Sequence, residues 1–121
     1  MNDTIFLPIK KEFFDMILAG IKKDEYRALN QRYIKRFTGR DLLGFTVIPG
    51  KDYNRFKKKT VTFINGYGWH RPWFVIQLKA IKIKTPNPDW CPPGTEGPWF
   101  ALELGEVLEK HNINTPQGDK E

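Results

Sequence analysis

Apolar and polar positions change period several times along the chain, and each period predicts an element. Ile5-Phe6-Leu7-Pro8-Ile9 reads as a short strand stopped by proline. From Lys10 to Ala19, Phe13 pairs with Ile17 and Phe14 with Leu18, the i, i+4 spacing of one buried helix face. Gly20 follows where a left-handed residue would end that helix. Lys22 to Arg27 has no helix face and predicts an extended strand at the edge of a site. Such a strand sends Lys22, Asp24 and Tyr26 to one side and Lys23, Glu25 and Arg27 to the other. From Ala28 to Phe37, Leu29, Tyr33 and Phe37 recur every four residues with Arg32, Lys35 and Arg36 between them. That pattern predicts a second helix with a basic outer face.

The rest of the chain is strand-like. Leu42 to Ile48 predicts a strand, and a loop follows that ends in Lys57-Lys58-Lys59. Thr60 to Ile64 is β-branched, Trp73 to Ile83 alternates strictly, and Trp99 to Leu108 alternates Phe100, Leu102 and Leu104 against Ala101 and Glu103. Thr85 to Pro98 holds five prolines and two glycines and predicts a loop. The expected organisation is one α+β domain over residues 1–110, a small closed or partly open β-barrel with two helices. A polar tail over 111–121 is expected to be disordered.

Charge changes this picture more than composition does. The 121 residues carry a formal net charge of +6. Residues 10–59 hold fourteen basic and six acidic residues, while the remainder is slightly acidic. A positive field confined to one part of the surface suits a polyanion, nucleic acid foremost. No run approaches the ~18 apolar residues of a membrane span, and the start Met1-Asn2-Asp3-Thr4 does not read as a secretory leader. The single cysteine, Cys91, cannot form an internal disulfide, which fits a reducing compartment and a cytoplasmic location. There is no Gly-rich phosphate loop, and His70, Cys91 and His111 match no zinc spacing, so no cofactor and no metal are expected.

Ile17 to Arg27, and within it Gly20-Ile21-Lys22-Lys23-Asp24-Glu25-Tyr26-Arg27, resembles the signature of the ASCH domain: an apolar helix ending in glycine, then Gly-x-Lys-x-x-Glu-x-Arg on a strand. The opening strand and the closing run Phe100 to Gly105 extend the resemblance over about residues 4–108. It implies a PUA-like pseudo-barrel that binds RNA, single-stranded nucleic acid or a modified nucleotide in a cleft beside the Gly-x-Lys strand. One branch of that family hydrolyses N4-acetylcytidine with a lysine, a threonine and a glutamate. Lys22 stands at the lysine position, and Glu25 occupies that of the threonine, so the hydroxyl nucleophile is missing. Other members resemble ribonucleases.

The residues support a chemistry of their own. Lys22 offers a point charge to a phosphate, Glu25 accepts from a base edge or serves as a base, and Arg27 orients that carboxylate or grips a phosphate. In an enzyme, Lys22 and Glu25 would be catalytic. Lys23, Arg32 and Arg36 extend the basic surface. Asn65-Gly66-Tyr67-Gly68-Trp69-His70-Arg71 interleaves amide, aromatic and cationic groups around two glycines, and Tyr67 or Trp69 would stack a base. Two alternatives stand beside nucleic-acid binding: a hydrolase on RNA or a modified nucleoside, and a module or inhibitor that binds an acidic protein.

Overall fold

Residues 3–66, 68 and 70–113 are described by a computed structural model. The chain runs β1 (Thr4–Pro8), α1 (Lys11–Leu18), β2 (Asp24–Arg27), α2 (Gln31–Thr38), β3 (Thr60–Ile64), β4 (Trp73–Lys84) and β5 (Trp99–His111). The sheet order is β1-β3-β4-β5-β2, with β1 parallel to β3 and the other pairs antiparallel. Register shifts between β4 and β5 near Val75, Ile76 and Leu78 add local twist. The sheet is curled into a half-barrel that carries two helices, an α+β architecture.

Both helices pack on the sheet through one core. Phe13, Phe14 and Ile17 of α1 and Ile34 and Phe37 of α2 join one core with Leu7, Phe63, Phe74, Phe100 and Leu102 of the sheet. Phe14 meets Phe74 edge-on at 4.8 Å, and Phe37 meets Phe100 at 5.1 Å. α1 ends as its sequence requires, with Gly20 at φ 78° and the Ile21 and Lys22 amides returning to the Met16 carbonyl. α2 starts at Gln31 rather than Ala28. The side chain of Asn30 accepts from the Tyr33 amide at 3.0 Å and caps it, which leaves Leu29 outside the helix but packed on the core.

Three further expectations need correction. Leu42 to Ile48 forms no strand: it is a 3-10 turn at Leu42–Gly44 followed by irregular chain. Its apolar residues Leu42, Leu43, Val47 and Ile48 are exposed, and backbone pairing is replaced by the Tyr53 hydroxyl, which accepts from the Ile48 amide and donates to the Thr46 carbonyl. The strand expected over Lys22 to Arg27 begins only at Asp24, because Lys22 still belongs to the turn that ends α1. The last strand runs past Leu108 to His111, whose ring stacks on Trp73 at 3.8 Å, so the tail starts later than residue 111. Residues 114–121 lie outside the described residues.

A half-barrel leaves two open edges, β1 and β2, and Arg27 and Arg36 both donate to backbone carbonyls of β1. The Arg27 guanidinium leaves β2 and donates to the Pro8 carbonyl of β1 at 2.8 Å, spanning the seam. Arg36 donates to the Phe6 carbonyl and covers the β1 edge. One prediction arises here. α2 ends at Gly39, φ 76°, where a Cβ would stand 3.1 Å from the Phe56 ring. Gly39→Ala is expected to cost about 1–2 kcal/mol for the left-handed conformation, with a further loss where Phe56 must move. Urea denaturation with an unchanged m-value would establish it, and an unaltered midpoint would refute it.

Candidate nucleotide cleft at the barrel seam

Where β1 and β2 part, a cavity of about 250 Å³ opens between the end of β1, the start of α1 and the proline-rich loop 85–98. Pro8, Ile9 and Lys10 form one wall, Trp90, Cys91, Pro92 and Trp99 the other, and Phe13, Glu25, Tyr26 and Arg27 the floor. Its volume lies just below the ~300–1,000 Å³ of small-molecule sites, a size for one base or nucleoside rather than a folded nucleic acid. A shallower cavity lined by Pro8, Ile9, Lys10, Asn65 and Gly66 shares the same β1 wall. The two segments singled out in the sequence, around residues 20–27 and 65–71, therefore meet along Pro8 to Lys10.

The electrostatics of the floor centre on Glu25. Its side chain is 9 % exposed, one oxygen is 2.7 Å from the Arg27 guanidinium, and the other is 3.4 Å from the Lys22 ammonium. Burial pulls Arg27 down, but Glu25 and Tyr33 outweigh it and hold the guanidinium above its ordinary value. Arg27 also receives the Tyr33 hydroxyl as acceptor at 3.1 Å. The Nε and both terminal nitrogens of this group thus have protein partners, and the carboxylate is held by two cations.

Lys22 has a different position from the one expected. Its side chain is 1 % exposed, its ammonium donates to the Trp90 carbonyl at 2.5 Å, and the rings of Tyr26 and Phe13 lie 4.8 and 5.1 Å away. Burial lowers its pKa, and Glu25 only partly restores it. The residue does not line the cavity, so its charge ties the 85–98 loop to the floor instead of meeting a phosphate. The motif predicts a charge offered to a phosphate; the fold makes it an internal tether.

The other expected residues divide. Lys23 and Arg32 are exposed, with Arg32 over the Tyr33 ring at 5.4 Å. Arg36 is engaged by the β1 edge, and burial lowers its pKa. Asn65 donates to the Ile9 carbonyl, and Arg71 donates twice to Asn65, so both serve the β3–β4 turn. His70 is exposed on that turn. Tyr67 and Trp69 lie outside the described residues. Sequence reading missed the aromatic walls, Trp90 and Trp99. The signal was present in the length of the 85–98 segment, since long ordered loops are commonly functional.

The chain matches no protein-family model, no curated protein and no solved structure. Among the described residues, no helix is long and apolar enough to cross a membrane.

Proposed function

We propose that this protein binds RNA or single-stranded nucleic acid by taking one base, plain or modified, into the seam cleft, as an ASCH-type member of the PUA-like group. The observation that carries this reading is the Glu25 carboxylate. It is buried at the floor of an aromatic-walled cavity of base size and held rigid by Arg27 and Lys22. A carboxylate so placed accepts from exocyclic amino and ring N–H groups of a base edge. Trp90 and Trp99 offer faces for stacking, and exposed Lys10 stands on the rim for the backbone. Binding is favoured over hydrolysis because Lys22, the residue an amidohydrolase would need at the substrate, lies beneath the floor.

Titration of labelled single-stranded RNA, single-stranded DNA and duplex DNA across a salt series tests this, with the reaction mixtures checked for new products. Single strands are expected to bind and duplex DNA to bind least. Trp99→Ala should weaken binding by about 1–3 kcal/mol, the range for one stacked base. Lys10→Gln should reduce the logarithmic salt slope by roughly 0.7, one single-strand phosphate. Absent binding to all three nucleic acids refutes the proposal, and product formation would assign the cleft to a hydrolase.

A further inference from the structure

The segment that failed to become a strand builds a second cavity, separate from the seam. It encloses about 320 Å³ between the end of α2 and the chain from Gly44 to Arg55. Its floor is aromatic: Tyr53 is buried, Phe45 is half-buried, and their rings lie 5.4 Å apart. Three cations, Arg40, Lys51 and Arg55, line it against a single carboxylate, Asp52. That carboxylate is already committed, since one oxygen accepts from the backbone amides of Asn54 and Ile81. Among the described residues neither guanidinium has a carboxylate partner, and Lys51 rests over the Tyr53 ring at 5.3 Å. Arg40 and Arg55 also line an adjoining cavity with Thr38, Gly39 and Phe56, so the two arginines are shared by both spaces.

This loop has no regular secondary structure, yet it is anchored throughout. The Tyr53 amide donates to the Ile81 carbonyl at 2.6 Å, the Arg55 amide to the Phe37 carbonyl at 3.3 Å, and Asn54 brackets Lys58 from both sides. A loop fixed to β4 and α2 that gathers three cations and one carboxylate around an aromatic floor keeps an excess of positive charge, which suits an anion that also carries a flat ring. Guanidiniums bind phosphate through paired N–H donors, and like charges held together in one cavity are relieved by such an anion.

We infer that this cavity is a second ligand site, for a nucleotide: the base lies against Phe45 and Tyr53, and the phosphate lies between Arg40 and Arg55. The nucleotide is either free or one unit of a single strand, and the phosphate position between two cavities suits a strand that continues. The site stands independently of the seam cleft, because the two share no lining residue.

The test is amide NMR on the full 15N-labelled chain titrated with uridine 5′-monophosphate, uridine, inorganic phosphate and a uridine trinucleotide. The monophosphate is expected to shift Gly44, Thr46, Tyr53 and Arg55, as a set of changes separate from any at Glu25 and Tyr26 of the seam. Arg40→Gln/Arg55→Gln should weaken it about tenfold or more, as loss of charge-assisted bonds requires. Lys79→Gln, on the exposed face of β4 and away from both cavities, serves as a folded control with unchanged binding. A trinucleotide that binds more tightly than the monophosphate identifies a strand as the source; equal binding identifies the free nucleotide. Shifts confined to the seam, no shifts at all, or uridine and phosphate each matching the monophosphate would overturn the inference. So would sedimentation with anionic vesicles that nucleotide does not alter, which would assign the loop's exposed Leu42, Leu43 and Val47 to a lipid surface.

Discussion

Glu25→Ala is expected to cost about 3–5 kcal/mol, the loss when one partner of a buried ion pair is removed. Two cations would remain beneath the cleft, Lys22 with a 1 % exposed side chain and Arg27 with 12 %, and no carboxylate between them. Against a total of roughly 5–15 kcal/mol for a domain of this kind, the variant would be barely folded. Lys22→Met should cost less, because Glu25 keeps Arg27 while its Oε1 and the Trp90 carbonyl lose the ammonium, a penalty of about 1–3 kcal/mol. The double variant Lys22→Met/Glu25→Ala should recover part of the Glu25→Ala loss, and urea denaturation of all four proteins measures that coupling. A loss below about 1 kcal/mol for Glu25→Ala would mean that the three charges are not held as a unit.

Alkaline titration gives the same interaction a second reading. Folded, Lys22 binds its proton more weakly than in the unfolded chain, because burial lowers its pKa from the ordinary 10.5. Between the folded value and 10.5 the unfolded state therefore binds more protons, and this group's contribution to stability rises with pH in that window. Lys84 acts in the opposite sense. Burial lowers its pKa, but Glu103 and Asp24 outweigh that and raise it, so its contribution is present below 10.5 and is lost as pH climbs through its folded value. Subtracting the Lys22→Met curve from the wild-type curve isolates the Lys22 contribution, which should have a positive slope.

Elements whose apolar residues point one way were legible in the chain. Val61 and Phe63, Phe74, Ile76 and Leu78, and Phe100, Leu102 and Leu104 are all buried on the face their alternation predicts. The Phe13/Ile17 stripe of α1 and its closing glycine were equally direct. The segment 39–59 was not, because Leu42, Val47 and Ile48 have strand composition but pair with no strand of the sheet, and at the β1 edge Arg27 and Arg36 take the Pro8 and Phe6 carbonyls. Lys22 was misread for a related reason. Its charge is compensated by a carbonyl 68 residues away, and periodicity within the motif carries no information about that partner. The cleft itself draws on β1, α1, β2, the 85–98 loop and β5, so only Glu25 and Arg27 could be seen as neighbours from spacing alone.

Phe100→Ala is expected to have the second large effect, about 3–5 kcal/mol for the loss of a buried phenylalanine. Phe100 is completely buried in β5, in register with Arg27 of β2 and Ile83 of β4. Its ring meets Phe37 at 5.1 Å, Phe45 at 6.0 Å and Tyr53 at 6.1 Å, all edge-on, so one side chain joins α2, the 45–55 loop and the sheet. The cavity left behind would border the floor of the second ligand site, and the loop would lose the contact that holds its two rings in place. Amide exchange should therefore accelerate at Tyr53 and Arg55, whose amides donate to Ile81 and Phe37, before it accelerates in β3. Phe100→Leu keeps apolar volume and should cost less in urea while still loosening the loop, since the edge-on ring contacts go in both variants. If exchange rose uniformly in both, Phe100 would be supporting the sheet alone, and the loop would be held by its backbone hydrogen bonds.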